Sequence, residues 1–75
     1  MMEKKIILPN IEAVKKFVRE SEGLNEQVIV SKEGFNFQID GASILGMMNV
    51  IGERLNVHFG IGSANFLRLL EQFQC

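Results

Sequence analysis

The sequence predicts an α+β two-layer sandwich with the element order β-α-β-β-α-β-α. Three observations carry this reading. Phe35, Phe37 and Ile39 alternate with Asn36 and Gln38, and Leu55, Val57 and Phe59 alternate with Asn56 and His58. That period of two belongs to strands with one wet face. Ile11, Val14, Phe17 and Val18, and later Phe66, Leu67, Leu70 and Phe73, follow helical spacing. Strands interspersed with helices in a single short chain favour helices packed on one face of a sheet.

Taken in order, Lys4 to Leu8 is a β-like run ended by Pro9 and Asn10. Proline cannot donate to a ladder, and asparagine is a good helix cap. The first helix then buries Ile11, Val14, Phe17 and Val18 and turns Lys15, Lys16, Arg19 and Glu20 to solvent. Gly23 is suited to its end, with Leu24 supplying an apolar contact. Val28, Ile29 and Val30 are a β-branched run, followed by a Lys32-Glu33-Gly34 turn and the Phe35/Phe37/Ile39 strand, so the two strands form a hairpin. The expected strands lie near residues 3–8, 26–32, 35–39 and 55–60.

Asp40-Gly41-Ala42-Ser43 offers turn and capping chemistry before an almost continuously apolar stretch, Ile44 to Ile51. Ile44, Met47, Met48 and Ile51 are expected on one helical face, and the segment carries more apolar surface than one face can bury. After the last strand, Gly60 and Gly62 flank a turn, Ser63 caps the final helix, and Arg68, Glu71 and Gln72 lie outside. A ferredoxin-like arrangement with an added helix is the alternative topology, since periodicity does not fix strand order.

Composition bounds the function. The 75 residues make one domain, 1–75. Eight Lys plus Arg against nine Asp plus Glu leave no basic footprint, so no nucleic-acid partner is expected. No apolar run reaches the roughly 20 residues that span a bilayer, so no membrane role is expected. One cysteine, Cys75, makes no internal disulfide, and with no secretory signal at the N-terminus the expected compartment is the cytoplasm. One Cys and one His fall short of a tetrahedral metal set, and no cofactor is expected. His58 reads as a partly exposed strand residue without a base, nucleophile or metal partner. Gly60-Ile61-Gly62-Ser63 lacks the third glycine and the lysine of phosphate-binding loops. No Ser/His/Asp set is available, and no enzymatic activity is expected.

One local motif says more. Gly41-Ala42-Ser43-Ile44-Leu45-Gly46-Met47-Met48 resembles the regulatory-serine segment of HPr, the phosphocarrier family of the bacterial sugar phosphotransferase system. The family pattern Ser-Ile-hydrophobic-Gly-hydrophobic-Met is filled at every position. The resemblance is good from about Gln27 to Met48, moderate beyond, and poor over residues 1–26. It implies an open-faced β-sandwich, a four-stranded antiparallel sheet covered by three helices on one face. It also implies that Ser43 is a regulatory phosphorylation position and that Ile44, Leu45 and Met48 dock protein partners, such as a serine kinase or a transcriptional regulator.

The departure from the family is equally informative. Its phosphoryl group rides on a histidine at the start of the first helix, in Gly-(Ile/Leu)-His-Ala-Arg-Pro-Ala. Here that region reads Leu8-Pro9-Asn10-Ile11-Glu12-Ala13-Val14, without histidine or arginine. The expectation is an HPr-like interaction module without phosphocarrier activity. The alternatives are a phosphocarrier using another acceptor and an orphan structural domain.

Overall fold

A computed structural model describes residues 1–75. Its elements are β1 (Met2–Ile7), α1 (Ile11–Glu22), β2 (Ile29–Lys32), β3 (Gln38–Asp40), α2 (Ile44–Met48), β4 (Arg54–Phe59) and α3 (Ala64–Gln72). The four strands form one sheet in the order β1-β4-β2-β3, antiparallel throughout. This is the open-faced α+β sandwich. Its β1 is an edge strand paired antiparallel with β4, so the ferredoxin-like alternative does not hold.

The register explains the alternation. Ile6 faces Leu55, and Val57 lies between Lys4 and Val30, which in turn faces Ile39. This face meets the helices, and Leu55, Val57 and Phe59 are fully buried on it. The opposite face carries Glu3, His58, Ile29 and Asp40 in one row and Lys5, Asn56, Ser31 and Gln38 in the next. Phe66 of α3 packs edge-on against Phe59 (5.2 Å between ring centroids) and tilted against Phe17 of α1 (5.8 Å), so three aromatic rings join sheet and helices.

Several expectations need correction. The β3 strand starts at Gln38, not Phe35. Gly34 turns the chain with φ +85°, and Phe35 and Phe37 then stay exposed, stacking edge-on at 6.0 Å with the Lys32 ammonium 4.5 Å from the Phe35 ring. These contacts shelter the rings without the core. Helix α2 ends after five residues, so Ile44, Met47, Met48 and Ile51 do not share a buried face. Met47 is buried, and the turn after Asn49 swings Val50 rather than Met48 into the core. On α1, Ala13 is buried and Ile11 is exposed; on α3, Leu69 is buried and Leu67 only partly so. Gly23 ends α1 in a right-handed conformation (φ −76°), so its freedom to take positive φ is not used.

Candidate functional site

The site grows from a turn. The Asp40 carboxylate accepts a hydrogen bond from the Ala42 N–H (2.9 Å), and the Asp40 carbonyl accepts one from Ser43 N–H (2.9 Å). Asp40 is thus both the last residue of β3 and the organiser of the turn. Gly41 donates to the Val28 carbonyl at 2.8 Å, tying the turn to the start of β2. A Cβ on Gly41 would lie 2.7 Å from Val28 Cγ1 and 3.2 Å from the Val28 carbonyl oxygen, so no side chain fits there.

Ser43 follows with extended backbone (φ −95°, ψ 110°), and its Oγ accepts from Gly46 N–H at 3.2 Å. It is the N-cap of α2 and relieves one of the orphan donors at the helix start. The first turn of α2 holds no acid, and the carboxylate of the preceding turn, Asp40, is engaged by the Ala42 N–H. Around the cap, Leu45 is 78% exposed, Met48 40% and Ile44 38%. Three neighbouring apolar side chains stay in water while Met47, between them, is fully buried. Surface of this kind, containing an adaptable methionine, suits protein contact.

The start of α1 is built differently. Asn10 caps the helix by accepting from Ala13 N–H at 3.0 Å, and Glu12 occupies the first turn. Both are favourable for a helix N-terminus. Neither supplies an imidazole nucleophile. His58 stands on β4 between Glu3 and Ile29 on the outer sheet face, with Nε2 3.9 Å from Glu3 Oε2. Cys75 is exposed, and its N–H donates to the Lys5 carbonyl at 3.1 Å. Neither residue adjoins the Ser43 turn in the sheet register.

One arrangement escapes sequence reading. The Glu26 carboxylate, on the loop between α1 and β2, accepts hydrogen bonds from three consecutive backbone N–H groups. Gly60 donates to Oε1, Ile61 reaches both oxygens (3.2 and 3.1 Å), and Gly62 donates to Oε2 at 2.7 Å. Gly62 has φ +74°, which lets the three donors converge. The Gly62 bond, then that of Gly60 and last that of Ile61, hold the Glu26 carboxyl below its ordinary value, and partial desolvation opposes them. The glycine-flanked loop does cradle an anion, and the anion is the protein's own. The spacing Gly60-Ile61-Gly62 before the Ser63 cap was the visible signal; its partner, distant in sequence, was not.

No protein-family model matches the chain, and no curated protein matches it. Solved structures do. A phosphocarrier protein HPr from Bacillus anthracis str. Ames superposes with a TM-score of 0.69, at 17% identity over 97% of this chain and 96% of that one. HPr-C-His from Thermoanaerobacter tengcongensis gives 0.72, at 20% identity over 96% of this chain and 93% of that one. The fold is therefore that of the HPr phosphocarrier proteins, over essentially its full length.

Proposed function

We propose that this HPr-like domain is a non-enzymatic interaction module. It docks a protein partner through Ile44, Leu45 and Met48, and phosphorylation of Ser43 regulates that docking. The observation that carries the reading is the exposure of these three apolar residues beside a serine-capped turn. Core packing uses Met47 and Val50 and leaves the other three available. A phosphoserine adds close to two negative charges and strong acceptor oxygens. Placed at residue 43 it would meet N–H groups of the first α2 turn, so the fold survives while the docking surface turns anionic.

Transfer of a phosphoryl group through histidine is not part of this proposal. Such chemistry needs an exposed imidazole, ideally beside helix N–H donors. Residues 8–14 hold none, and His58 lies on the outer face of the sheet. The rival reading is a phosphocarrier with another acceptor, favoured by the solved structures of like fold.

One experiment separates them. The protein is incubated with phosphoenolpyruvate and the enzyme that charges ordinary HPr, and in parallel with ATP and the serine kinase that acts on HPr. The proposal expects no mass change in the first reaction and a single phosphate on Ser43 in the second. Acid-labile phosphate in the first, on any residue, would establish the rival. No phosphate on Ser43 in the second would remove the regulatory half of the proposal.

A further inference from the structure

Charge is unevenly spread over the helical layer. On α1, Lys16, Arg19 and Glu20 recur at i, i+3 and i+4, which places them on one stripe. On α3, Asn65, Arg68, Leu69 and Gln72 do the same. The two helices meet through Phe17 and Phe66, and the two stripes line a groove of about 390 Å³ between them. Three cations thus share a groove with one carboxylate, in a protein whose net charge is −1. The close contacts between acidic and basic side chains are Lys32–Glu53 and His58–Glu3, and none of the four groove charges takes part in one. An incoming anion would therefore meet an excess of positive charge in the groove.

We infer that this groove binds a small hydroxylated phosphate monoester. A net charge of +2 from Lys16, Arg19, Arg68 and Glu20 complements the charge of roughly −2 on a phosphate monoester at neutral pH. Two guanidinium forks match phosphate geometry, and the lysine adds a compact charge. The remaining lining argues for the ester over bare phosphate. Glu20 repels phosphate oxygens but accepts hydrogen bonds from hydroxyls, and the Asn65 and Gln72 amides both donate and accept. A peptide fits poorly. The one apolar lining residue, Leu69, is 8% exposed, so the groove offers no pocket for an anchoring side chain. This inference is independent of the α2 surface.

The test is an amide chemical-shift titration of the whole protein at fixed pH and ionic strength, with glycerol 3-phosphate, inorganic phosphate and glycerol as probes. Glycerol 3-phosphate is expected to saturate in the low millimolar range or below, with shifts confined to residues 16–20 and 65–72. Inorganic phosphate should bind more weakly, and glycerol not at all. The double variant Arg19→Gln/Arg68→Gln should weaken binding at least about tenfold while its melting temperature stays unchanged. Lys15→Gln, outside the groove, should bind as the parent does. Shifts that never saturate, that centre on residues 60–63, or that persist in the double variant would overturn the assignment. So would equal affinity for inorganic phosphate, or saturation only by a phosphopeptide.

Discussion

Replacing Gly41 by alanine tests how the Ser43 turn is held. Gly41 is buried, and its N–H donates to the Val28 carbonyl at 2.8 Å. An added Cβ would meet Val28 Cγ1 at 2.7 Å, Val28 Cβ at 3.0 Å and the Val28 oxygen at 3.2 Å. None of these atoms can easily give way. Val28 is β-branched and 2% exposed, and its carbonyl is fixed by the very bond that brings Gly41 close. Overpacking of this kind costs about 1–3 kcal/mol. A stretched Gly41–Val28 bond would add about 0.5–1.5 kcal/mol. Alanine returns about 0.4–1 kcal/mol by narrowing the unfolded ensemble. The expected net loss is about 2 kcal/mol, out of a total that for 75 residues is about 4–11 kcal/mol. For a domain of this size that lowers Tm by about 8–16 °C. Urea and thermal unfolding followed by circular dichroism measure it. A double-mutant cycle with Val28→Ala should return a coupling of about 0.5–3 kcal/mol, because the two side chains compete for one space. A Gly41→Ala variant within about 0.5 kcal/mol of the parent, or additive with Val28→Ala, would refute the account.

Ser43→Ala should lose about 1 kcal/mol in urea unfolding and Ser43→Asp only a few tenths, since aspartate also caps; equal losses would mean that Oγ is not the cap. Phe66→Ala should cost about 3–5 kcal/mol, since the ring is fully buried between Phe17 and Phe59, and calorimetry should find the variant partly unfolded at 37 °C. Glu26→Gln should be less stable than the parent at neutral pH. Because the Glu26 carboxyl is lowered in the folded state, its stabilisation is fully present above the unfolded value near 4.5 and is lost as pH falls through the folded value. Urea midpoints measured across pH should therefore converge for the two proteins only below about pH 4.5. Leu45→Lys should leave Tm nearly unchanged, because the residue is 78% exposed, yet, if the proposed docking surface receives the HPr serine kinase, slow phosphorylation of Ser43 by that kinase, measured by mass spectrometry.

Legibility in the sequence followed the range of the physics. Strand β4 was readable because its period of two is imposed by immediate neighbours on both sides in the sheet. The caps Asn10, Ser43 and Ser63 were readable because each acts three residues away. Phe35 and Phe37 misled because alternation records only that two rings share a side of an extended chain. It does not record where pairing stops: the β2–β3 ladder ends at Ser31 and Gln38, and Lys32, the next residue of β2, pairs only with Leu55 of β4. Glu26 could not be read at all, since its partners lie 34 to 36 residues along the chain. The basic groove was equally hidden. Lys16 and Arg19 look like a solvated face of one helix and Arg68 like that of another, and only the packing of α1 on α3 makes one groove of them.

The motif glycine shows where structure and function part. A Cβ on Gly46 would lie 2.8 Å from Ile39 Cγ2 and 3.4 Å from Ser43 Oγ. Glycine there lets α2 lie close on β3 and leaves room for the cap. Ser43 and Gly46 together are therefore sufficiently explained by the architecture of one short helix, with no phosphorylation involved. Met47 is explained in the same way, as core. What packing does not explain is the character of the remaining positions. Leu45 is 78% exposed and contributes little to the interior, while Ile44 and Met48, at 38% and 40%, keep a substantial apolar surface in water. The apolar surface they leave in water lowers solubility without adding to the core. The proposed docking role therefore falls to these three residues rather than to the serine, and a partner surface would give them a use.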